Sequence, residues 1–282
     1  MTQFTYLFGP VPSRRFGLSL GVDLAPMKTC TLDCPFCEVG PTTRRTLERR
    51  EYVPTGAVLR ELESWRALKQ PADFITVTGS GEPTLHTRFG EVLEAIRAMG
   101  GAKSALLTNS TLMHLPEVRA AAARADVVKA SLSAWDQASF EAVVRPHPGL
   151  AFGRLAEGLR AFRREYAGAI WMEVFLVPGV NTARDQVAAL AALARTIEPD
   201  RIQLNTAVRP TARQDVAPLP EDRLRALAGL FTPRAEVIAR FAAGSGARRE
   251  GCGPAVLDML RRRPCTAGDV ARAFGLPPGQ AE

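Results

Sequence analysis

Cys30, Cys34 and Cys37 stand within the run Cys30-Thr31-Leu32-Asp33-Cys34-Pro35-Phe36-Cys37, and the whole chain of 282 residues has five cysteines. Three chemistries use thiols packed this closely. A structural zinc site takes four ligands, as a rule in two C-x2-C pairs, and the other thiols, Cys252 and Cys265, lie far along the chain. A dithiol redox pair needs Cys34 and Cys37 alone and gives Cys30 nothing to do. A four-iron cluster accepts three thiolates when its fourth iron is kept for another ligand, so the missing fourth cysteine becomes an open coordination position.

The C-x3-C-x2-C spacing, with Phe36 directly before the last cysteine, resembles the signature of the radical S-adenosylmethionine (radical SAM) superfamily. The resemblance implies a 4Fe-4S cluster on Cys30, Cys34 and Cys37, with S-adenosylmethionine on the open iron. It also implies reductive cleavage to a 5′-deoxyadenosyl radical that abstracts hydrogen from a substrate, and a low-potential electron donor of the flavodoxin or ferredoxin type. The upstream run Phe8-Gly9-Pro10-Val11-Pro12-Ser13-Arg14-Arg15-Phe16-Gly17-Leu18-Ser19-Leu20-Gly21-Val22-Asp23 is similar to an Fe–S oxidoreductase subgroup grouped with wyosine-tRNA synthase-like proteins. That likeness makes tRNA a candidate substrate, with small-molecule or peptide chemistry as the alternative. Arg14 and Arg15 read either as a clamp for a phosphate or carboxylate, or as a solvated pair.

Further polar residues recur at regular places. Thr78-Gly79-Ser80-Gly81-Glu82-Pro83-Thr84 is a glycine turn in which backbone carbonyls can approach an ammonium closely. It resembles the superfamily's GGEP segment for the methionine amino group, which puts Gly79, Ser80, Gly81 and Glu82 at the cofactor, with Ser80 in place of the usual first glycine. Thr108-Asn109-Ser110-Thr111 resembles the TNG element on the ribose side, although Asn109 equally suits a helix cap. Lys129, Ser131 and Ser133 alternate on one strand face, and Ser131 is the candidate for the ribose. Glu173, a carboxylate among Trp171, Met172, Val174 and Phe175, needs a hydroxyl or a cation. Gln203 and Asn205, two residues apart, offer amide edges to substrate or adenine.

These residues must be held by a frame, and the hydrophobic pattern supplies one. Short apolar runs at 18–24, 74–78, 105–108, 127–132, 171–177 and 201–206 read as buried strands. Helical patterns at 56–68, 88–99, 115–125, 152–166 and 184–197 fall between them, and a further one at 221–231 completes the set. Alternation of this kind gives right-handed crossovers and a parallel α/β sheet. It matches the partial (β/α)6 TIM-like barrel of the resembled superfamily, with chemistry expected where each strand ends.

The expected organisation is a partial barrel over 1–232, a basic linker over 233–253, and a short helical C-terminal tail over 254–282. The tail resembles the opening helices of a winged helix-turn-helix, with Thr266 as an N-cap and no recognition helix, so no DNA partner is expected. Few, unevenly spaced cysteines exclude a disulfide framework and point to a reducing cytoplasm, and no apolar run reaches the roughly 20 residues of a membrane span. The formal charge of +7 suits an anionic partner such as RNA, but base-composition bias produces the same arginine excess. A non-enzymatic iron–sulfur electron-transfer or metal-binding protein, with Cys252 or Cys265 as the missing ligand, is the competing class.

Overall fold

Strands laid down in spatial order form the centre of the molecule. The computed structural model describes residues 4–238, 253, 256, 257, 260, 267–274 and 276. β1 (Leu7–Ser13) and β2 (Gly17–Asp23) form an antiparallel hairpin. The loop after β2 contains a small parallel ladder of β3 (Thr29–Cys30) and β4 (Arg44–Arg45). β2 then pairs in parallel with β5 (Phe74–Thr78), and β6 (Lys103–Thr108), β7 (Val127–Ser131), β8 (Ala169–Phe175) and β9 (Arg201–Asn205) follow side by side. A short β10 (Glu236–Val237) pairs with β9, inside the stretch where the sequence suggests a linker. Since β1 and β10 end the sheet at opposite edges, the barrel is partial, as expected.

Each crossover is helical: α1 (Thr55–Ala67), α2 (Phe89–Met99), α3 (Pro116–Ala122), α4 (Gln137–Val144) with α5 (Phe152–Glu165), α6 (Arg184–Arg195) and α7 (Glu221–Ala228). The outward faces of the strands carry Leu20, Val22, Val77, Leu106, Val174 and Leu204, all 0% exposed. They meet helix faces such as Val58, Leu62 and Trp65 of α1 and Phe89, Val92 and Ile96 of α2. Burying each large side chain contributes about 1.5–3 kcal/mol, which fixes the sheet from outside. The inward faces are left to do other work.

Inside, the lower level is apolar: Phe16 stacks on Trp171 at 5.2 Å, and Ala105 and Val127 complete the floor. Above it the inward residues turn polar. A helix α8 (Ala267–Phe274) lies beside β1 with Val270 buried. Cys252, Cys265, Thr266 and most of the tail fall outside the described residues. No helix among the described residues is long and apolar enough to cross a membrane.

Candidate active site

The loop carrying Cys30, Cys34 and Cys37 begins at the C-terminal end of β2, where barrel sites collect. All three cysteines are free and half-buried. Asn109, just past β6, donates Nδ2 to Cys30 Sγ at 3.5 Å and to Thr31 Oγ1 at 2.8 Å, tying the loop to the sheet. Lys28 Nζ donates to Cys37 Sγ at 3.0 Å. Phe36 stacks on Phe175 at 4.1 Å, which holds the loop's last turn over β8. Burial, and after it the Glu82 carboxylate, pushes the Cys30 thiol up to about 11; burial, and after it Cys30 and Cys37, raises Cys34 well above the usual thiol range. Metal loading therefore releases protons.

The glycine turn after β5 packs directly under this loop. A Cβ on Gly81 would lie 1.8 Å from the Thr29 carbonyl oxygen, so only glycine lets the two backbones approach this closely. Ser80 donates Oγ to Asp23 Oδ2 at 2.6 Å, and its carbonyl accepts the Lys28 N–H at 2.7 Å. Lys28 itself is held at a positive φ of 57°. Asp23 and Lys28 are thus part of the scaffold; Asp23 closes the upstream run that resembles the Fe–S oxidoreductase subgroup, whereas Lys28 stands in no motif that sequence reading could single out.

Glu82 is buried and aimed inward. Its carboxylate accepts from Thr84 N (3.1 Å), Thr84 Oγ1 (2.6 Å), Thr108 Oγ1 (2.7 Å) and Asn109 N (2.7 Å). Burial raises its pKa, and the donors from Thr84, Asn109 and Thr108 oppose the rise. The side chain locks β5 to β6.

On the far side of the barrel the polar groups are charged. Glu173 on β8 is gripped by Arg15 and by Lys129 of β7, and Asn205 Nδ2 donates to it at 3.0 Å. Burial, then the Arg15 guanidinium, pushes the Lys129 ammonium down against that ion pair. Glu38, next to Cys37, accepts Arg14 at 2.9 Å and Arg209 at 3.0 Å. Burial opposes its ionisation, but Arg14 and Arg209 prevail and hold its pKa at about 2. Arg14 also donates to Asn205 Oδ1 and the Ile238 carbonyl, each at 3.4 Å, so the β1–β2 turn reaches across to β9 and the segment after β10. With side chains 4% and 11% exposed, Arg14 and Arg15 are no solvated pair; they clamp carboxylates of the chain itself.

A cavity of about 330 Å³ opens between the two sides, edged by Cys37, Gly79, Ser80, Glu173 and Asn205. A smaller one of about 90 Å³ is lined by Cys34, Asn109, Ser131 and again Glu173. Gln203 lines neither; it is 2% exposed, with an Oε1 that has no hydrogen-bond partner. Ser133 and Asn181 are structural: Ser133 Oγ accepts the Phe175 N–H, and Asn181 donates to the Ser133 and Phe175 carbonyls.

The residues present fit a cluster better than a single ion. Among the described residues, no three His, Cys, Asp or Glu side chains are gathered closely enough to hold one metal ion. A four-iron cluster sets each thiolate on its own iron and takes cysteines farther apart, and the donor set here is sulfur alone.

The chain is similar to several known proteins. The Radical SAM superfamily model matches residues 24–191. A UPF0026 protein of Helicobacter pylori is 33% identical over 270 residues, covering 94% of this chain and 86% of that protein. The chain belongs to the Radical SAM superfamily and, within it, to the UPF0026 proteins. A protein of Brachyspira hyodysenteriae named GTPase Obg is 29% identical over 272 residues, and this chain spans 40% of its length. Among solved structures, a radical SAM methyltransferase from Sphaerobacter thermophilus superposes with a TM-score of 0.57 at 19% identity, over 80% of this chain and 67% of that one, a likeness of fold.

Proposed function

We propose that this protein is a radical SAM enzyme in which Cys30, Cys34 and Cys37 hold a 4Fe-4S cluster and S-adenosylmethionine binds at the open iron. The observation that carries the reading is a loop of three thiols opening on a cavity whose rim includes Cys37, Gly79 and Ser80. Bound there, the pair supplies one-electron cleavage of the sulfonium and a 5′-deoxyadenosyl radical for hydrogen abstraction. A low-potential donor of the flavodoxin or ferredoxin type supplies the electron.

The chain's own residues then divide the work. Gly79 and Gly81 offer backbone acceptors to the methionine ammonium, while Ser80 and Glu82 hold the turn in place. Asn109 orients the Cys30 end of the loop, and Lys28 donates a hydrogen bond to the Cys37 sulfur, a recognised lever on cluster potential. Ser131, Glu173 and Asn205 are among the polar groups lining the two cavities, placed for ribose, adenine or substrate; Gln203 brings a buried amide oxygen that lacks a partner.

Of the substrate classes, tRNA and the wyosine-like subgroup draw no support from Arg14 and Arg15, which are buried on Glu38 and Glu173. A small molecule in the barrel is the reading the cavity favours. Anaerobic reconstitution followed by absorbance spectroscopy and calorimetric titration with S-adenosylmethionine tests the assignment. A cluster that forms and binds the cofactor supports it, and a reconstituted protein without affinity for S-adenosylmethionine refutes it.

A further inference from the structure

Lys28 is 5% exposed, yet among the described residues its ammonium forms no ion pair with a carboxylate; its Nζ donates to Cys37 Sγ at 3.0 Å. The carboxylates around the cysteine loop are engaged elsewhere. Glu82 is held by Thr84, Thr108 and Asn109, Asp33 Oδ1 accepts the Thr42 N–H at 2.9 Å, and Glu38 accepts Arg14 and Arg209. A buried ammonium is costly unless an anion matches it. The backbone under it is fixed at some cost as well. Lysine seldom adopts a φ of 57°, and here the residue is pinned from both sides: its N–H donates to the Ser80 carbonyl at 2.7 Å, and its carbonyl accepts the N–H groups of Thr43 and Arg44 at 3.2 and 3.1 Å. That strained, fixed backbone aims the side chain at the thiols.

A four-iron cluster on three thiolates carries net negative charge, and one unit more once it is reduced; net charge and hydrogen bonds to the sulfurs both set its potential. We infer that Lys28 is the built-in counter-ion of this cluster, stabilising its reduced state over its oxidised state and so raising its reduction potential. In that step one electron passes from the low-potential donor to the cluster, and Lys28 exchanges neither a bond nor a proton. Its charge reaches the other two sulfurs too, opposing the rise that burial imposes on Cys30 and Cys34. Lys28 lines neither cavity, so it is placed for the cluster rather than for a ligand held in either. The inference rests on the reading of Cys30, Cys34 and Cys37 as cluster ligands, and it adds the residue that matches their charge.

Potentiometric titration of the anaerobically reconstituted protein, followed by electron paramagnetic resonance in the absence of S-adenosylmethionine, tests it on wild type, Lys28→Met, Lys28→Gln and Lys28→Arg. At a fixed potential the ratio of reduced to oxidised cluster is expected to fall roughly tenfold in Lys28→Met, which for a one-electron couple is a midpoint about 59 mV more negative. Lys28→Gln, which keeps a donor and loses the charge, is expected to fall between, and Lys28→Arg to stay near wild type. Before reconstitution the sign reverses: the Lys28→Met apoprotein is expected to melt above wild type, because an unmatched buried cation has gone, a pairing of effects that mere structural damage does not produce. Should Lys28→Met hold no cluster, Lys28→Gln against Lys28→Arg decides. A midpoint that is unmoved or more positive in Lys28→Met, or equal in Lys28→Gln and Lys28→Arg, overturns the proposal. So does an unchanged midpoint with weakened affinity for S-adenosylmethionine, which would assign Lys28 to the cofactor. Cluster absorbance and cofactor affinity of the wild type report separately on the enzyme reading: a cluster without cofactor affinity sinks that reading and leaves the midpoints to decide on Lys28, whereas a wild type that forms no cluster sinks both.

Discussion

Two carboxylates inside the barrel, Glu82 and Glu173, are both buried and are satisfied in opposite ways. Glu82 sits among neutral donors, two hydroxyls and two backbone N–H groups, all contributed by the ends of β5 and β6 and the turns that follow them. Glu173 sits among cations, one of which comes from the β1–β2 turn 158 residues away. The first arrangement is a finished network that gives the cysteine loop a rigid bed. The second concentrates charge around an open cavity, where a ligand can change the balance. A rigid bed under the cysteine loop and a charged wall across the cavity suit the proposed placing of cofactor and substrate on different walls.

The comparison is broken most completely at the loop itself. Cys30→Ala, Cys34→Ala or Cys37→Ala is expected to abolish cluster absorbance and iron retention, whereas Cys252→Ala and Cys265→Ala keep both; loss in either distal variant assigns the cluster a fourth thiolate. Glu173→Gln comes next, because it strips the counter-charge from two buried cations, and a cost of about 3–5 kcal/mol in denaturant unfolding is expected.

Glu38→Gln removes a more exposed partner of two guanidiniums, with an expected cost of about 2–3 kcal/mol at neutral pH. Its effect has a pH signature. The folded-state value of about 2 lies below the ordinary 4.5, so Glu38 contributes stability above roughly pH 4.5 and loses it as pH falls toward 2. Melting temperature plotted against pH should therefore drop less steeply for Glu38→Gln than for wild type within that window. Equal slopes would mean that the guanidiniums do not hold Glu38.

Glu82→Gln is the sharpest counterpart to Glu173→Gln, since the same isosteric change here costs only the mismatch of an amide N–H against donors. About 1–2 kcal/mol is expected, with cluster content preserved. If it equals or exceeds the cost at Glu173, neutral and charged burial are not the distinction proposed. The smallest effect is expected from Arg44→Ala on the outer surface, where the ion pair with Glu48 is about half exposed and contributes roughly 0.2–1 kcal/mol.

The parallel strands were readable because buried parallel strands are continuous apolar runs, and their ends match to within about two residues. β1 was not: Phe8-Gly9-Pro10-Val11-Pro12 reads as broken chain, and it is tolerated because β1 is an edge strand whose register shifts between Phe8 and Val11. α4 escaped as well, since its signal is a capping box between Asp136 and Ser139 rather than a long apolar period. The cysteine loop and the glycine turn were legible because each is local. The pairing of Arg15 with Glu173, and of Arg14 and Arg209 with Glu38, joins residues distant in sequence, and only the closing of the sheet brings them together. For the same reason the four donors of Glu82, Thr84 twice, Thr108 and Asn109, are not legible around its local motif, since they meet only where the ends of β5 and β6 come together.

The most direct test of the central claim is the formation of 5′-deoxyadenosine by the anaerobically reconstituted, chemically reduced protein supplied with S-adenosylmethionine. The wild type is expected to release it, with Cys34→Ala releasing none. A wild-type protein that carries its cluster, binds S-adenosylmethionine and yields no 5′-deoxyadenosine under reduction would contradict the claim that this barrel performs radical chemistry.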